Sequence, residues 1–487
     1  MFPFVLEGTY VMKYFDEIRH VIPRDGIGKL KDLAVQVASE SARLEGSVAP
    51  DTAKGLGEQL RLLNSYHSNR IEGHKTGILD IRKALNGEFK PGDHGRYNQQ
   101  LCAAHVVTER YMMDLLRSNE LDPFDSSFLP SLHKHFYSEL PLEHQYCHSD
   151  GGFTNYRVMP GEFRDKLVSV DGAHQLGPEA DDVPVLYEEI IQHYIPEKYH
   201  GDEKLIAILS SHHRLTWLHP FRDGNGRMVR LHTTAAMANI GINRSNLWSL
   251  SRGISRDTKN HFSYEMNLQD ADSFTDESLS DFILFCLEQC LDQIQFIGKL
   301  LNVTTIEDRI DRYFNHKLPR MSSLNELQSV LNNGNIARLM SVIFRSGRVS
   351  RGEAYSILGV QRKRGGEIIK PLLKNGLLRT ESERGPLLFG FPEEAMPEYF
   401  PFLYKPSLMV DAEDAMEGIL VRDGEDVKIA LKDGSLQTIG PWNESFQQLL
   451  GKELTQDIIW AIVQNAPFGN IISKLYDIIT KSKLGDR

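Results

Sequence analysis

The stretch LHPFRDGNGRMVR, residues 218–230, decides how the chain is read. Gly224, Asn225 and Gly226 allow a tight turn whose backbone N–H groups point inward. Helical periodicity begins directly after them, from about Arg227 to Ile240. A helix start carries free amides and the positive end of the peptide dipole, so it attracts anions. Arg227 and Arg230 are three apart and share one face of that helix near its start. Two guanidiniums beside such a turn suit a polyphosphate. Asp223, at the lip, suits Mg2+, which prefers one or two carboxylates plus phosphate oxygens. His219, just before the turn, is of a type that takes up a proton near neutrality. Phe221 is expected to point into the core and pin the loop. Nucleotide phosphate, metal and base therefore meet in one place.

Other routes to phosphate or acyl chemistry are absent from the sequence: there is no GxxxxGK[ST], HExxH or GxSxG. The ordered set His219, Phe221, Asp223, Gly224, Asn225, Gly226, Arg227 and Arg230 instead resembles the Fic family motif HxFx(D/E)GNGRxxR, and every motif position is matched. The resemblance implies a helical bundle with a β-hairpin flap, and an enzyme that moves AMP from ATP onto a Ser, Thr or Tyr hydroxyl of a target protein, releasing pyrophosphate. It also implies roles. His219 deprotonates the hydroxyl, and Asp223 binds Mg2+ bridging the α- and β-phosphates. Gly224, Asn225 and Gly226 form the anion hole, with Asn225 on the α-phosphate, while Arg227 and Arg230 grip the β- and γ-phosphates. Removal of AMP, or transfer of another phosphate-containing group, stays open on the motif alone.

Two further stretches resemble the family. GEFRDKLVSVDGAH, Gly161–His174, resembles the flap that clamps a target by strand addition; Gly161, Glu162, Phe163 and Arg164 are the docking residues it implies. Upstream, Ser68-Asn69-Arg70-Ile71-Glu72-Gly73 fits the inhibitory motif [S/T]xxxE[G/N], with Ser68, Glu72 and Gly73 at its fixed positions. Glu72 is expected to pair with Arg230 and so take the γ-phosphate's partner, leaving ATP misaligned for in-line attack. Read without the family, Glu72-Gly73 is a helix end with Gly73 as its C′ residue. The helix after the motif, residues 247–272, is where the resemblance places adenine contacts.

The rest of the chain sets the frame. A length of 487 residues allows two to four domains by the usual size prior. Hydrophobic residues at 41% and charged residues at 25% are the balance of an ordinary soluble protein, and a net charge of −11 argues against general attraction to nucleic acid or anionic membrane. Four scattered cysteines read as free thiols in a reducing cytoplasm, Cys286 and Cys290 sharing one helix face. The N-terminus lacks a signal-peptide pattern, and the most apolar run, 282–301, is broken by Glu288, Asp292 and Lys299. No membrane association is expected, and the location expected is cytoplasmic.

The fold class expected is mainly α. An N-terminal helical region with the inhibitory helix spans 1–120, with a polar break near 87–95, and a Fic core spans 121–315, with a hairpin between 151 and 183. A winged helix-turn-helix spans 320–400, with helices at 335–345, 351–357 and 361–374 and a strand pair around Arg384. A linker or a wrapping segment is expected at 391–406, and a small α+β tail, strands first and then two helices, at 407–487. Within 345–384, the third helix carries Arg362, Lys363, Arg364, Lys370 and Lys374 against one acid, Glu367. DNA is possible there, which would make the chain a nucleotide-sensing DNA-binding regulator, but it is not favoured over packing or homodimer formation.

Overall fold

Apolar residues recurring every three or four positions, cut by glycines and prolines, give the chain its helices. The computed structural model describes residues 11–74, 76–148, 155–166, 177–255, 264–320, 327, 330–331, 334–404, 416–424, 426–431, 436–441, 446, 450 and 453–454. The chain divides into two compact units, residues 1–47 with 56–298 and residues 48–55 with 299–487. The helices in chain order are α1 Val11–Ile18, α2 Ile27–Gly46, α3 Pro50–Ile71, α4 Ile78–Leu85, α5 Asp93–Ser118 and α6 Phe128–Ser138. They continue with α7 Val183–His193, α8 Glu203–Leu218, α9 Asn225–Asn239, α10 Leu250–Ile254, α11 Tyr264–Ala271 and α12 Asp276–Leu300. The helices before and after residue 120 share the first unit, so the boundary expected there is not a break in the packing.

Consecutive helices α8 and α9 are buried on nearly every side and form the centre of that unit. Leu205, Ile206, Ile208 and Leu209 of α8 and Met228, Val229 and Leu231 of α9 are fully buried. A helix buried all round must satisfy its polar side chains internally. His212 does so, with Nδ1 at 2.7 Å from Thr233 Oγ1 and Nε2 at 2.7 Å from Tyr264 OH. His213 Nε2 meets Asp272 Oδ1 at 3.0 Å. Cys102, Cys286 and Cys290 are buried free thiols, and burial pushes Cys102 and Cys290 up to about 12.

Helix α3 turns a polar face inward: Arg61, Asn64, Ser65, Ser68 and Asn69 are buried at helical spacing. Asn64 Nδ2 and Asn246 Nδ2 donate to the two carboxylate oxygens of buried Glu109 at 2.7 and 2.6 Å, and Ser65 Oγ donates to Cys102 O. The loop that carries Asn246 takes positive φ at Asn243 and Asn246, a conformation asparagine tolerates. That loop lies close on α3 at Gly57, where an added Cβ would come within 2.5 Å of Ser245 O.

The hairpin expected within 151–183 begins earlier. β1 Tyr146–His148 pairs antiparallel with β2 Asn155–Arg157, Tyr146 opposite Arg157. Residues 161–166 are turn and coil, and the rest of the expected flap, 167–174, lies outside the described residues.

In the second unit, helices Ile336–Ser346, Arg351–Leu358 and Arg362–Lys374 alternate with and precede the strands of a three-stranded antiparallel sheet: Arg348–Val349 follows the first helix, and Leu387–Phe389 lies between that strand and Leu378–Arg379. A capping box at Ser350 and Glu353 starts the middle helix, and Gly359 ends it at φ 69°. The stretch expected as a linker or a wrapping segment packs into this unit: Tyr399 and Phe400 are buried, and Arg309 Nη1 donates to Tyr399 O. Strands Met416–Asp423, Asp426–Leu431 and Leu436–Pro441 form a second antiparallel sheet with Glu453–Leu454. The helices expected after it lie outside the described residues. No helix among the described residues is long and apolar enough to cross a membrane.

The Gly57 approach gives a test in which two effects oppose. Alanine there gains about 0.5–1 kcal/mol of helix propensity. The clash with Ser245 O costs about 1–3 kcal/mol. Gly57→Ala is therefore expected to lower the thermal midpoint measured by calorimetry, whereas Gly28→Ala, whose added Cβ meets open space, is not.

Candidate active site

The site is built where α8 ends and α9 begins. α8 stops at His219, which takes a left-handed conformation at φ 49° and ψ 60°. A non-glycine residue there is uncommon and must be held by its surroundings. The loop after it is fixed by Asn225 and Phe221. Phe221 N–H donates to Asn225 Oδ1 and Asn225 Nδ2 donates to Phe221 O, both at 2.8 Å. Phe221 itself is fully buried, as expected, and stacks on the His133 ring at 3.9 Å. Both ends of the Asn225 side chain are thus committed to shaping the loop. Each end spends one hydrogen bond on Phe221, and the second Nδ2 hydrogen is not used by that pairing.

Gly224 adopts φ 79° against the Tyr137 ring, and α9 starts immediately after it. Arg227 is 1% exposed. One of its nitrogens lies 3.3 Å from both Asp223 oxygens, and its guanidinium sits over the Phe136 ring at 5.1 Å. Its Nε and Nη1 are buried and have no protein partner. Orphaned guanidinium donors at a helix N-terminus are what an anion would satisfy. Burial works against the charge of Arg227, but Asp223 leads the groups that hold its pKa above the usual value.

Asp223 accepts the Tyr137 hydroxyl at 2.5 Å. Burial opposes its charge, yet Arg227, Tyr137 and the Gly224 N–H hold its carboxyl below the usual range. It stays an anion at neutral pH. Among the described residues no group of three or more His, Cys, Asp or Glu could hold a metal ion. One carboxylate beside an anion cup still fits Mg2+, which takes its remaining oxygens from phosphate and water.

The motif upstream lies on α3, and the two readings of Glu72-Gly73 coincide. Gly73, at φ 80°, donates to Arg70 O, and His74 N–H donates to Asn69 O, the bonds of a Schellman helix end. This end places Glu72 over the start of α9. Glu72 Oε1 accepts from Arg230 Nη2 at 2.6 Å, while Ser68 takes Arg230 Nε on its hydroxyl and Nη2 on its carbonyl, each at 2.9 Å. A Cβ on Gly226 would collide with the Glu72 carboxylate and the Arg230 guanidinium. Burial works against the charge on Glu72, whose side chain is 29% exposed, but Arg230 and Arg227 hold its carboxyl below the usual range. His219 is pulled the other way: burial depresses its pKa below 6.5, Arg164 adds to this, and Glu72 and Asp223 oppose it.

Of the residues read as docking positions, Gly161 and Phe163 are half-buried, Glu162 is exposed and Arg164 is 3% exposed. Phe163 packs on Tyr187 and Phe221. Arg164 turns its guanidinium into the carbonyls at the end of α8. Two residues escaped the sequence reading. His133 Nδ1 accepts the Gly161 N–H at 2.8 Å, so its Nε2 carries the proton and donates to Asp223 O at 3.2 Å. Tyr137 holds the Asp223 carboxylate. Both lie four apart on α6, among the buried apolar residues Phe128, Leu129, Leu132 and Phe136. Two polar side chains on an apolar helix face are the signal that could have found them.

Residues 123–237 match the model of the Fic/DOC family, and this part of the chain is a Fic/DOC domain. Domains of that family are generally transferases. A Fic family protein from Desulfovibrio desulfuricans G20 is similar in structure at 17% identity and TM-score 0.45, over 73% of this chain and 95% of that one. A Fic domain containing signaling protein from Bacteroides thetaiotaomicron aligns at 18% identity and TM-score 0.40, over 55% and 97%. Fic-1 from C. elegans aligns at 15% identity and TM-score 0.43, over 57% and 74%.

The Asn225 clamp is testable apart from any activity. Asn225→Ala strands a buried donor and a buried acceptor of Phe221, each worth about 1–3 kcal/mol. A drop of that order in unfolding free energy is expected in denaturant titration.

Proposed function

We propose that the chain is a protein adenylyltransferase that transfers AMP from ATP to a Ser, Thr or Tyr hydroxyl of another protein and is held inactive by Glu72. The observation that carries this reading is the seat of Glu72. A carboxylate of the same chain occupies Arg230 above the N-terminus of α9, where an anionic ligand would be drawn.

In the active form His219, neutral at physiological pH, takes the proton of the target hydroxyl as that oxygen bonds to the α-phosphorus. The bond to pyrophosphate breaks on the opposite side. Arg227 and Arg230 hold the β- and γ-phosphates and their developing charge. Asp223 would hold Mg2+, which supplies charge neutralisation at the phosphate oxygens. Glu72 leaves Arg230 when the γ-phosphate arrives. The basic helix of the second unit presents Arg362, Lys363 and Lys370 to solvent, but Glu381 and Glu383 are exposed on the turn between Leu378–Arg379 and Leu387–Phe389. That mixture favours a packing or dimerising face over DNA.

Glu72→Gly is expected to raise AMP transfer from labelled ATP, and His219→Ala in that background to lower it by ~10²–10⁴. Mass spectrometry of a lysate treated with the Glu72→Gly protein and ATP should find AMP on a hydroxyl side chain. No labelled protein would overturn the reading. Loss of AMP from an already modified protein, seen with Glu72 and absent without it, would instead assign Glu72 to positioning a water. The pH profile gives a separate check. The base works deprotonated and its pKa is depressed, so kcat/KM should rise with pH and level off, with the midpoint of the rise below 6.5. Because Glu72 raises that pKa, the Glu72→Gly protein should place the midpoint lower still.

A further inference from the structure

The segment 161–166 is bonded to the catalytic loop through one side chain in particular. Arg164 Nε donates to His219 O at 2.9 Å. Its Nη2 donates to Pro178 O at 2.5 Å and reaches Leu218 O at 3.5 Å, and its Nη1 donates to Lys166 O at 3.1 Å. Its own main-chain N–H donates to Pro220 O at 2.9 Å. Among the described residues it forms no salt bridge. A cation taken out of water and met only by carbonyl oxygens is costly unless something offsets it. Part of the offset is its place: Leu218 and His219 end α8, where the helix dipole is negative and carbonyls lack intrahelical partners. The guanidinium therefore bonds the peptide at which His219 departs from helical geometry.

We infer that Arg164 is a positioning residue for the base: by bonding the carbonyls of Leu218 and His219 it holds His219 in its left-handed conformation at the rim of the anion cup. The inference rests on the reading of His219 as the base. It reassigns Arg164 from target docking to the loop. A fork with several donors at fixed angles can hold these four carbonyls from three segments together, which an ammonium on a flexible stem cannot. The charged groups that act on the imidazole are Glu72 and Asp223, which favour its protonated form, and Arg164, which disfavours it. Removing the guanidinium therefore has a second, independent sign: the imidazole should titrate at higher pH.

The test uses the full chain carrying Glu72→Gly, with Arg164→Gln and Arg164→Lys added singly. Arg164→Gln should lower kcat for AMP transfer by ~10², the scale of an ångström-level misplacement of a reacting group. Calorimetry should find its affinity for Mg-ATP unchanged, and the His219 ring resonances should titrate at higher pH than in the parent. Arg164→Lys keeps the charge and loses the fork, so the titration should return to the parent's midpoint while kcat stays depressed. An unmoved titration with parental kcat in Arg164→Gln would overturn the inference, as would a matching loss of nucleotide affinity, which marks general disruption. If Arg164→Gln does not fold, Arg164→Lys decides: lowered kcat with an unmoved midpoint supports the role, and full kcat removes it. The ring titration needs no activity, so a parent that transfers nothing would sink the proposed function while leaving the role of Arg164 to be judged on the midpoint.

Discussion

Two guanidiniums, Arg227 and Arg230, are kept almost out of water at the end of α9 where the helix dipole is itself positive. That concentration of positive charge is a constraint the surrounding chain has to meet. Asp223 answers Arg227 from the preceding turn, and Tyr137 steadies Asp223 from α6. Ser68 and Glu72 answer Arg230 from α3. Even so, two donors of Arg227 remain without a protein partner. Most of the polar side chains buried around the cup can be understood as partial answers to one excess of charge, with room left for an anion to complete it.

The inner face of α3 follows the same logic. Up to Leu63, α3 buries Leu56, Leu60, Leu62 and Leu63 as an ordinary surface helix would, and beyond it the inward face turns polar. Here Asn64, Ser65, Ser68 and Asn69 face inward, and their hydrogen bonds reach Glu109, Cys102 and Arg230. Such a contact is specific in register, since every partner must be met at hydrogen-bond distance. It is also exchangeable, because water or phosphate oxygens can take over its bonds. A leucine seam would give up more on separation.

Much of the cup was legible because its chemistry is local in sequence. Twelve consecutive positions, 219–230, hold the turn, the histidine, the carboxylate and both arginines, the turn being read from its glycines and the arginines from helical spacing. Glu72 was legible only through its motif, since nothing local states that α3 ends over α9. What stayed hidden depends on tertiary contact. The phosphate contact of the Asn225 side chain came only from the family resemblance, and only the coordinates reveal that each of its ends also bonds the main chain of Phe221. Arg164 was placed on the docking surface because it lies in the stretch that resembles the flap, and its partners include carbonyls 54 and 55 residues away, which no periodicity reports. His133 and Tyr137 bond the loop at Asp223 from α6, a contact that lies far off in sequence. The helices of the second unit, by contrast, followed from local caps at Ser350 and Gly359.

The Schellman stop at Gly73 has a thermodynamic reach beyond geometry. A carboxylate tethered one residue before a helix end behaves as a competitor at fixed local concentration, and the fraction of molecules in which it is docked scales the apparent affinity for any anion that needs Arg230. That fraction depends on how firmly the last turn of α3 is wound. Substitutions that fray or firm this turn, without touching a reacting group, would therefore act as a gain control on the response to ligand.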